Sequence, residues 1–403
     1  MLSCPGLALA QTLPPSDPPP DEPQVFSLRQ SLRGDSNLFR VPADQGPQRE
    51  LISTTAIGLV LNRDWGRQRF VGDFVLGWAD YRDNSDLSGA VYDLRARLDW
   101  STVNRIAGEL GVRSRSEQYL NRDSATVYTQ DNRLTTSSAF LNIRKGNVTP
   151  WTLEGGLAAS DARYSASAFS RRNVQQLGAN LGLRYRFKPN TSLRLGLRHA
   201  AGRYPNYGLD QVDDFRRTDV ELSGAMEAGG ASVFDARLAY GRTTHSEVTR
   251  REGNDWSGAL RWKWQPTGKL LFTTQLSRDS STGAAGFDDP LLPGRGSDAR
   301  RTAALDLTGR WQATAKLAVQ ADLGLERRQL DNAFVTGGVG GLAAQADDRT
   351  LAYGLAVRFK PTPLSDLSCR VGRERRSTDT AASALTYAYL NSTLGCMASV
   401  GWR

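Results

Sequence analysis

The most restrictive feature of this sequence is a period-two alternation of apolar and polar residues that recurs from about residue 25 to residue 403. Residues 92–100, for example, place Tyr, Leu, Ala, Leu and Trp at even positions and Asp, Arg, Arg and Asp at odd positions. Successive side chains of a β-strand point to opposite faces, so each such segment predicts a strand with one apolar and one charged face. About eighteen of these segments follow one another, each ended by a polar connection.

Alternation alone also fits a soluble β-sandwich, but the connections favour a transmembrane barrel. They alternate between short and long, as in outer-membrane barrels, which have short periplasmic turns and longer surface loops. The short connections are 62–66, 101–104, 146–150, 188–191, 228–231, 265–268, 313–315 and 360–365. The long connections include 34–49, 120–132, 164–172, 203–213, 243–253, 279–298 and 329–346.

Aromatic residues collect where the strands meet the short connections, as expected of a girdle at the membrane interface. They are Trp65, Trp100, Trp151, Phe187, Trp262, Trp264, Phe272, Trp311, Phe359 and Trp402. All six lysines also lie at or beside short connections: Lys145, Lys188, Lys263, Lys269, Lys316 and Lys360. The mean hydropathy of −0.45 excludes a helical membrane protein but not a barrel, whose strands are apolar on one face only.

The sequence therefore predicts an all-β protein, a transmembrane antiparallel up-and-down β-barrel of about eighteen strands over residues 25–403. The predicted location is the outer membrane of a Gram-negative bacterium, with lipid around the barrel. Residues 1–10 end in Ala8-Leu9-Ala10, the small-x-small pattern of a secretory signal, and are expected to be a signal-peptide remnant. Residues 11–24 are Pro-rich and acidic, which predicts an extended periplasmic linker.

The parity of the apolar residues changes within 381–403. Leu385, Tyr387 and Tyr389 share one parity, whereas Leu394 and every second residue to Trp402 share the other. A bulge or break near 390–393 would reconcile them. Without a break, this region is one long closing strand.

Two cysteines, Cys369 and Cys396, fall in the last two predicted strands, and their midpoint lies within the connection between those strands. Antiparallel pairing about that connection could bring them opposite each other. An exported protein meets an oxidising compartment. A cross-strand disulfide is therefore a hypothesis.

The charged face of the strands would line the lumen, and a barrel of this size is wide enough for an aqueous channel. Arginine keeps its charge and can hold a carboxylate or phosphate with two hydrogen bonds, which suits anionic solutes. Alternatively, these arginines pair with Asp and Glu across strands and only stiffen the wall. The predicted lumen residues are Asp93, Arg95, Arg97, Arg113, Arg184, Arg186, Arg194, Arg198, Asp235, Arg237, Arg261, Asp306, Arg310, Asp322 and Arg358.

Other function classes lack their sequence signals. The net charge of +9 is spread over strands and loops, with no basic patch or tail for nucleic acid. An enzyme needs a nucleophile and a base, and only two histidines are present. His199 continues an apolar parity and is expected in the girdle or rim, while His245, beside Ser246, is expected on a surface loop. With no metal-ligand spacing or phosphate-binding loop, no catalytic residue, metal or cofactor is predicted.

Short motifs give the chain a resemblance to a known family. They are Asp35-Ser-Asn-Leu-Phe-Arg40, Gly66-Arg-Gln-Arg-Phe70, Tyr92-Asp-Leu94 and the segment 391–396. Through them, residues 25–403 resemble a β-barrel porin family of exopolysaccharide operons, and more narrowly the EpsL-type outer-membrane proteins found beside exosortase systems. The resemblance implies a part in the biosynthesis or export of an extracellular polysaccharide.

The predicted function is accordingly a passive, Arg-lined conduit for an anionic polymer such as a uronic-acid polysaccharide. Because no ATP-binding motif is present, direction would come from export machinery in the periplasm or inner membrane. The alternative is a general porin or small-solute channel without polymer specificity, and a barrel-embedded enzyme comes third. A long connection folded inward, such as 279–298 or 329–346, would favour gated export, whereas an open lumen would favour a porin.

Overall fold

The structure is a computed structural model that describes residues 24–402 except 104, 121–130, 147–148, 209–210, 248–251, 281–298, 332–344 and 379–385. The predicted signal remnant, 1–10, lies outside the described residues. So does the predicted linker, 11–24, except for Gln24, which begins the first strand.

Eighteen antiparallel strands form one closed sheet, which confirms the predicted fold class and strand number. Each strand pairs with its neighbours in sequence, and β1 pairs with both β2 and β18, so the barrel has no open edge. At the usual strand spacing and tilt, the backbone cylinder is roughly 35 Å across. The strands are β1 Gln24–Asp35, β2 Glu50–Trp65, β3 Gln68–Tyr81, β4 Gly89–Ser101, β5 Ile106–Gln118, β6 Arg133–Lys145, β7 Trp151–Tyr164, β8 Val174–Lys188, β9 Thr191–Gly208, β10 Gln211–Ala228, β11 Ser232–His245, β12 Gly253–Thr267, β13 Leu270–Ser280, β14 Ala299–Gln312, β15 Leu317–Asp331, β16 Gln345–Phe359, β17 Ser365–Thr378 and β18 Tyr389–Trp402.

Alternation along each strand separates an outer apolar face from an inner polar one. On β8, Leu177 and Leu181 are 60% and 59% exposed, while Gln176 and Gly178, on either side of Leu177, are buried. The predicted girdle lies on the outer face at the end that carries the short turns, and part of it is a run of stacked rings from Phe234 through Trp262 and Trp264 to Phe272. The exposed apolar faces are thus the surface in contact with lipid.

One long connection was predicted wrongly. Residues 203–213 are not a loop, because β9 continues to Gly208 and β10 begins at Gln211. The polar residues of this region remain strand because they satisfy one another: Arg203 Nε donates to Asp214 Oδ1 at 2.8 Å across the pair. Charged residues on both faces hide the alternation that marks the rest of the strand.

The predicted bulge near 390–393 is also absent. The pairing of β17 with β18 runs without a register shift from Arg376 opposite Tyr389 to Ser365 opposite Val400. The parity of Tyr387 and Tyr389 differs from that of Leu394 because both tyrosines are buried at the end of the wall that carries the surface loops, where the Tyr389 hydroxyl donates to Glu374. They are apolar residues of the inner face.

Cys369 and Cys396 lie directly opposite each other in the β17–β18 pair. Their Cα atoms are 4.0 Å apart, and a disulfide joins the two side chains. The bond links the closing strand to its neighbour, on the outer face shared with Leu367 and Leu394.

Three short 3₁₀ helices, Ala43–Gln45, Ser85–Leu87 and Ser167–Arg172, occur in surface loops. Within the described residues, no helix is long and apolar enough to cross a membrane.

Candidate functional site

The inner wall of the barrel is the candidate site. Every predicted lumen residue lies on the inner face, on the parity opposite to the exposed apolar residues of its strand. The structure also shows that most of these arginines are paired with carboxylates. The inner wall is therefore mainly a network of ion pairs, and isolated positive charges are the minority.

One connected chain of ion pairs runs over β7 to β11. Glu154 accepts from Arg184 Nε at 2.6 Å and from Arg194 Nε at 2.8 Å. Arg194 also reaches Glu221 at 2.9 Å, and Glu221 in turn contacts Arg237 at 2.8 Å. Three guanidinium groups therefore share two carboxylates, which leaves one positive charge in excess. We call these five residues the ladder.

A second chain lies above the ladder, toward the surface loops. Asp219 contacts Arg198 and Arg217, each at 2.7 Å, and the three side chains are at most 6% exposed. Two arginines share one carboxylate here, so this chain also has one positive charge in excess. Together the two chains form a net-positive strip along one side of the lumen.

Ion pairs elsewhere on the wall form smaller groups. On β4 and β5, Asp93 contacts Arg95 at 2.5 Å and Arg113 at 2.8 Å, and Arg97 contacts Asp99 at 3.0 Å. The remaining pairs are Arg261 with Asp235, Arg358 with Asp366, and Arg370 with Asp322. Among the described residues, Asp306 and Arg310 form no ion pair, and Arg186 lies at the end of β8 near the short turns.

Glycines let the ladder lie flat against the wall. The guanidinium of Arg194 passes over Gly182 and Gly196. A methyl group at Gly182 would come within 2.5 Å of Arg194 Cζ, and one at Gly196 within 2.7 Å of Nη1. Because no Cβ fills this space, the charge stays beside Glu154 and Glu221 and does not extend into the lumen.

A cavity of about 340 Å³ opens along this wall, and its lining includes all five ladder residues. Asn180, Asp235 and Arg144 contribute further polar groups. Its volume falls in the range of small-molecule sites. The cavity therefore combines space for a small solute with groups that attract an anion.

The first surface loop, residues 36–49, folds into the mouth of the barrel. Leu38, Phe39 and Val41 are at most 3% exposed and pack against inner-face residues of β2 and β3, including Ile52 and Tyr81. These apolar contacts inside the mouth explain why this otherwise polar loop carries a Leu-Phe pair. We call residues 36–41 the hook.

Polar contacts fix the hook to the closing strands. Arg40, with 1% of its side chain exposed, contacts Asp35 at 2.8 Å and Glu374 of β17 at 3.4 Å. The Asn37 backbone N–H donates to Asn391 Oδ1 of β18 at 2.9 Å. The motif 35–40, which carried part of the family resemblance, thus has a structural role at the barrel seam.

The fourth surface loop also lies against the inner wall. Phe169, in the 3₁₀ helix Ser167–Arg172, packs with Leu134 and Tyr164 of the inner face and with Tyr119. Next to it, Val174, Tyr204 and Phe215 form another buried group. The hook and this helix therefore narrow the mouth beside β2, β3, β6 and β7. The predicted plugging loops, 279–298 and 329–346, lie mostly outside the described residues.

His245 was predicted on a surface loop, and this prediction was wrong. His245 is the last residue of β11, its side chain is 0% exposed, and its Nδ1 lies 2.8 Å from Asp213 Oδ2. The Phe215 ring packs against its imidazole at a centroid distance of 5.6 Å. His199 lies on the outer face, as expected of a rim residue, with Nδ1 2.9 Å from the Thr218 hydroxyl.

Sequence reasoning missed the carboxylates that complete the ion-pair chains, Glu154, Asp219 and Glu221, and also Arg217. Odd positions of 213–221 do form one inner face. The signal was hidden because Asp214, Arg216 and Thr218 make the outer face of the same segment polar as well.

Solved structures with a similar fold are outer-membrane barrels. The outer membrane protein OpdK of Pseudomonas aeruginosa is 12% identical, with a TM-score of 0.50 over 94% of this chain and 99% of that chain. OpdO of Pseudomonas aeruginosa is 13% identical, with a TM-score of 0.51 over 94% and 96%. OccAB3 of Acinetobacter baumannii is 12% identical, with a TM-score of 0.50 over 94% and 99%.

These similarities and the closed sheet define the class: the protein is an eighteen-stranded outer-membrane β-barrel with a porin fold. No protein-family model matches the chain, and no curated protein matches it. The resemblance to the exopolysaccharide family therefore remains a prediction.

Proposed function

We propose that this protein is a passive outer-membrane channel for small anionic solutes. The observation that carries the proposal is the net-positive strip of the ladder and the Asp219 chain along a cavity in the lumen wall. A carboxylate of the solute can replace Glu154 or Glu221 as the partner of an arginine. This exchange is possible because solute and protein carboxylates form the same charge-assisted hydrogen bonds with a guanidinium group. Successive weak sites of this kind allow both entry and release.

The mouth favours small solutes over a polymer. The hook packs against inner-face residues of β2 and β3, and the helix Ser167–Arg172 packs against those of β6 and β7. Buried ion pairs hold the hook in place. Both solutes need a continuous path through the lumen, but a small carboxylate needs a narrower one than a polysaccharide chain. The structural neighbour OpdK was crystallised with vanillate, which is a small carboxylate.

Solute uptake by proteoliposomes tests the proposal. We expect vanillate or gluconate to enter faster than a neutral sugar of similar mass, and a cationic solute to enter slowest. We also expect the rate to fall steeply along a series of uronic-acid oligomers of increasing length. Uptake no faster than in protein-free vesicles, or faster for the cation, would contradict the proposal. Long oligomers that enter as readily as the monomer would support the polymer conduit instead.

A further inference from the structure

Four arginines project from the outer surface of the barrel near the ends of β15, β16 and β17 that carry the surface loops. They are Arg327, Arg349, Arg373 and Arg375, here called the rim arginines. All four are exposed, and each shares its parity with exposed apolar residues of its own strand, such as Leu325, Leu351 and Val371. They therefore face the membrane and not the lumen.

The rim arginines are crowded together. Arg327 lies directly opposite Arg349 in the β15–β16 pair. Arg349 lies opposite Ser377, so Arg375 is its diagonal neighbour, at roughly 7–8 Å. Like charges placed opposite each other destabilise a sheet. Among the described side chains of these three strands, the outer face carries one carboxylate, Asp347, which lies 3.0 Å from Arg327.

Nearby carboxylates belong to the other side of the wall. Glu374, between Arg373 and Arg375 in sequence, contacts Arg40 of the hook and the Tyr389 hydroxyl. Asp348 contacts Arg328 at 2.6 Å and accepts from the Thr386 hydroxyl at 2.7 Å. Glu374 and Asp348 are buried on the inner face and therefore do not neutralise Arg373 and Arg375 on the outer face.

The rim arginines lie where the apolar band ends. Arg349 is ten residues from the girdle residue Phe359 on β16, which is roughly 33 Å along the strand and about 25 Å in height at the usual tilt. That height is the thickness of the apolar band of an outer-membrane barrel. Leu351 and Tyr353, opposite Arg375 and Arg373, are exposed apolar residues just below it.

We propose that the rim arginines bind the phosphate groups of a glycolipid in the outer leaflet of the membrane. The planar guanidinium matches a phosphate with two hydrogen bonds, and a doubly charged phosphate offsets the repulsion between neighbouring arginines. The exposed Leu351 and Tyr353 contact the lipid below the headgroup. This inference rests on the outer-membrane location and is independent of the proposed transport function.

Other outer-face arginines at the same end supply a matched control. Arg163 contacts Asp161, and Arg203 contacts Asp214, each at 2.8 Å. Each of these two arginines is paired with a carboxylate, whereas Arg373 and Arg375 form no ion pair among the described residues. Arg163→Gln/Arg203→Gln and Arg373→Gln/Arg375→Gln remove the same net charge from the same outer surface.

Binding of lipid A to the purified full-length barrel, followed by native mass spectrometry, tests the proposal. The Arg373→Gln/Arg375→Gln barrel should bind at least roughly tenfold more weakly than the wild type, since two charge-assisted contacts are lost. The control variant should bind like the wild type. Dephosphorylated lipid A should bind the wild type as weakly as intact lipid A binds the Arg373→Gln/Arg375→Gln barrel.

Two further arms identify the source of the phosphate and the state of the fold. Inorganic phosphate or an anionic phospholipid that binds the wild type as tightly as lipid A would overturn the glycolipid assignment. Equal binding of lipid A to the wild type and to Arg373→Gln/Arg375→Gln would overturn the site. Unchanged channel conductance verifies that each variant barrel is folded, and Arg373→Lys/Arg375→Lys should recover part of the binding because it restores charge without the planar fork.

Discussion

Replacing Arg184 with Gln removes one positive charge from the lumen wall, and replacing its partner Glu154 with Gln removes one negative charge from the same place. The two side chains are 30% and 21% exposed, so each can act on a passing ion through water. We expect Arg184→Gln to lower the preference of the channel for anions and Glu154→Gln to raise it. The opposite signs separate an electrostatic effect from general damage to the barrel.

The magnitude follows from Coulomb's law. A unit charge about 5 Å from a monovalent ion in water contributes about 0.8 kcal/mol, or roughly fourfold in local concentration. Screening at 0.1 M salt reduces this to about 0.5 kcal/mol, or roughly twofold, and at 1 M salt to about 0.15 kcal/mol. Because the charge attracts one ion and repels the other by the same amount, the anion-to-cation permeability ratio should change about fivefold at 0.1 M salt and less than twofold at 1 M.

Reversal potentials of single channels under a salt gradient measure this ratio. Arg163→Gln, which removes an outer-face arginine paired with Asp161, is the control and should leave the ratio unchanged. The reasoning fails if Arg184→Gln and Glu154→Gln shift the ratio in the same direction. It also fails if the shifts are as large at 1 M salt as at 0.1 M.

Three other features of the structure lead to predictions. Arg40→Ala removes the buried cation that Asp35 and Glu374 share. The cost should be about 3 kcal/mol, at the lower end for a broken buried pair because Arg33 still contacts Asp35 and the Tyr389 hydroxyl still contacts Glu374. The hook should become sensitive to protease and conductance should rise, whereas Arg49→Ala in the exposed part of the same loop should change neither. The Cys369–Cys396 bond closes a separation of 27 residues, so its reduction should lower stability by roughly 3.5 kcal/mol. An intact mass that shows two free thiols in the unreduced protein would contradict the bond. Asp213→Ala removes the hydrogen-bond acceptor of the buried His245 and of the Glu247 N–H. Backbone amide hydrogen exchange should therefore become faster at the surface-loop ends of β10 and β11. Exchange that becomes equally faster throughout the barrel would refute a local role.

The sequence was sufficient for the architecture because the barrel repeats one simple rule. Outer and inner positions alternate on every strand, so Leu177 and Arg184 could be assigned to their faces without knowing the register. The lengths of the connections then indicated which end of the barrel carries the surface loops, and the number of alternating segments predicted the number of strands. Errors occurred where both faces are polar, as in 203–213, or where the inner face turns apolar, as at Tyr387 and Tyr389.

The site was less predictable because it depends on register and on folded loops. Parity placed Arg194 and Arg237 on the inner wall, but only the register shows that Glu154 and Glu221 bridge them. The position of the hook depends on contacts between residues more than 300 positions apart in sequence, such as Asn37 and Asn391. No local pattern contains that information, so the narrowed mouth could not be predicted.

The most direct test of the central claim is the reversal potential of the wild-type channel in a planar bilayer under a gradient of potassium chloride at about 0.1 M. Because the strip is net positive, we expect the sign of the reversal potential to show that chloride permeates faster than potassium. This preference for chloride should decline as the salt concentration rises and screens the charges of the wall. A potassium-selective channel, or a folded barrel that conducts no ions, would contradict the account.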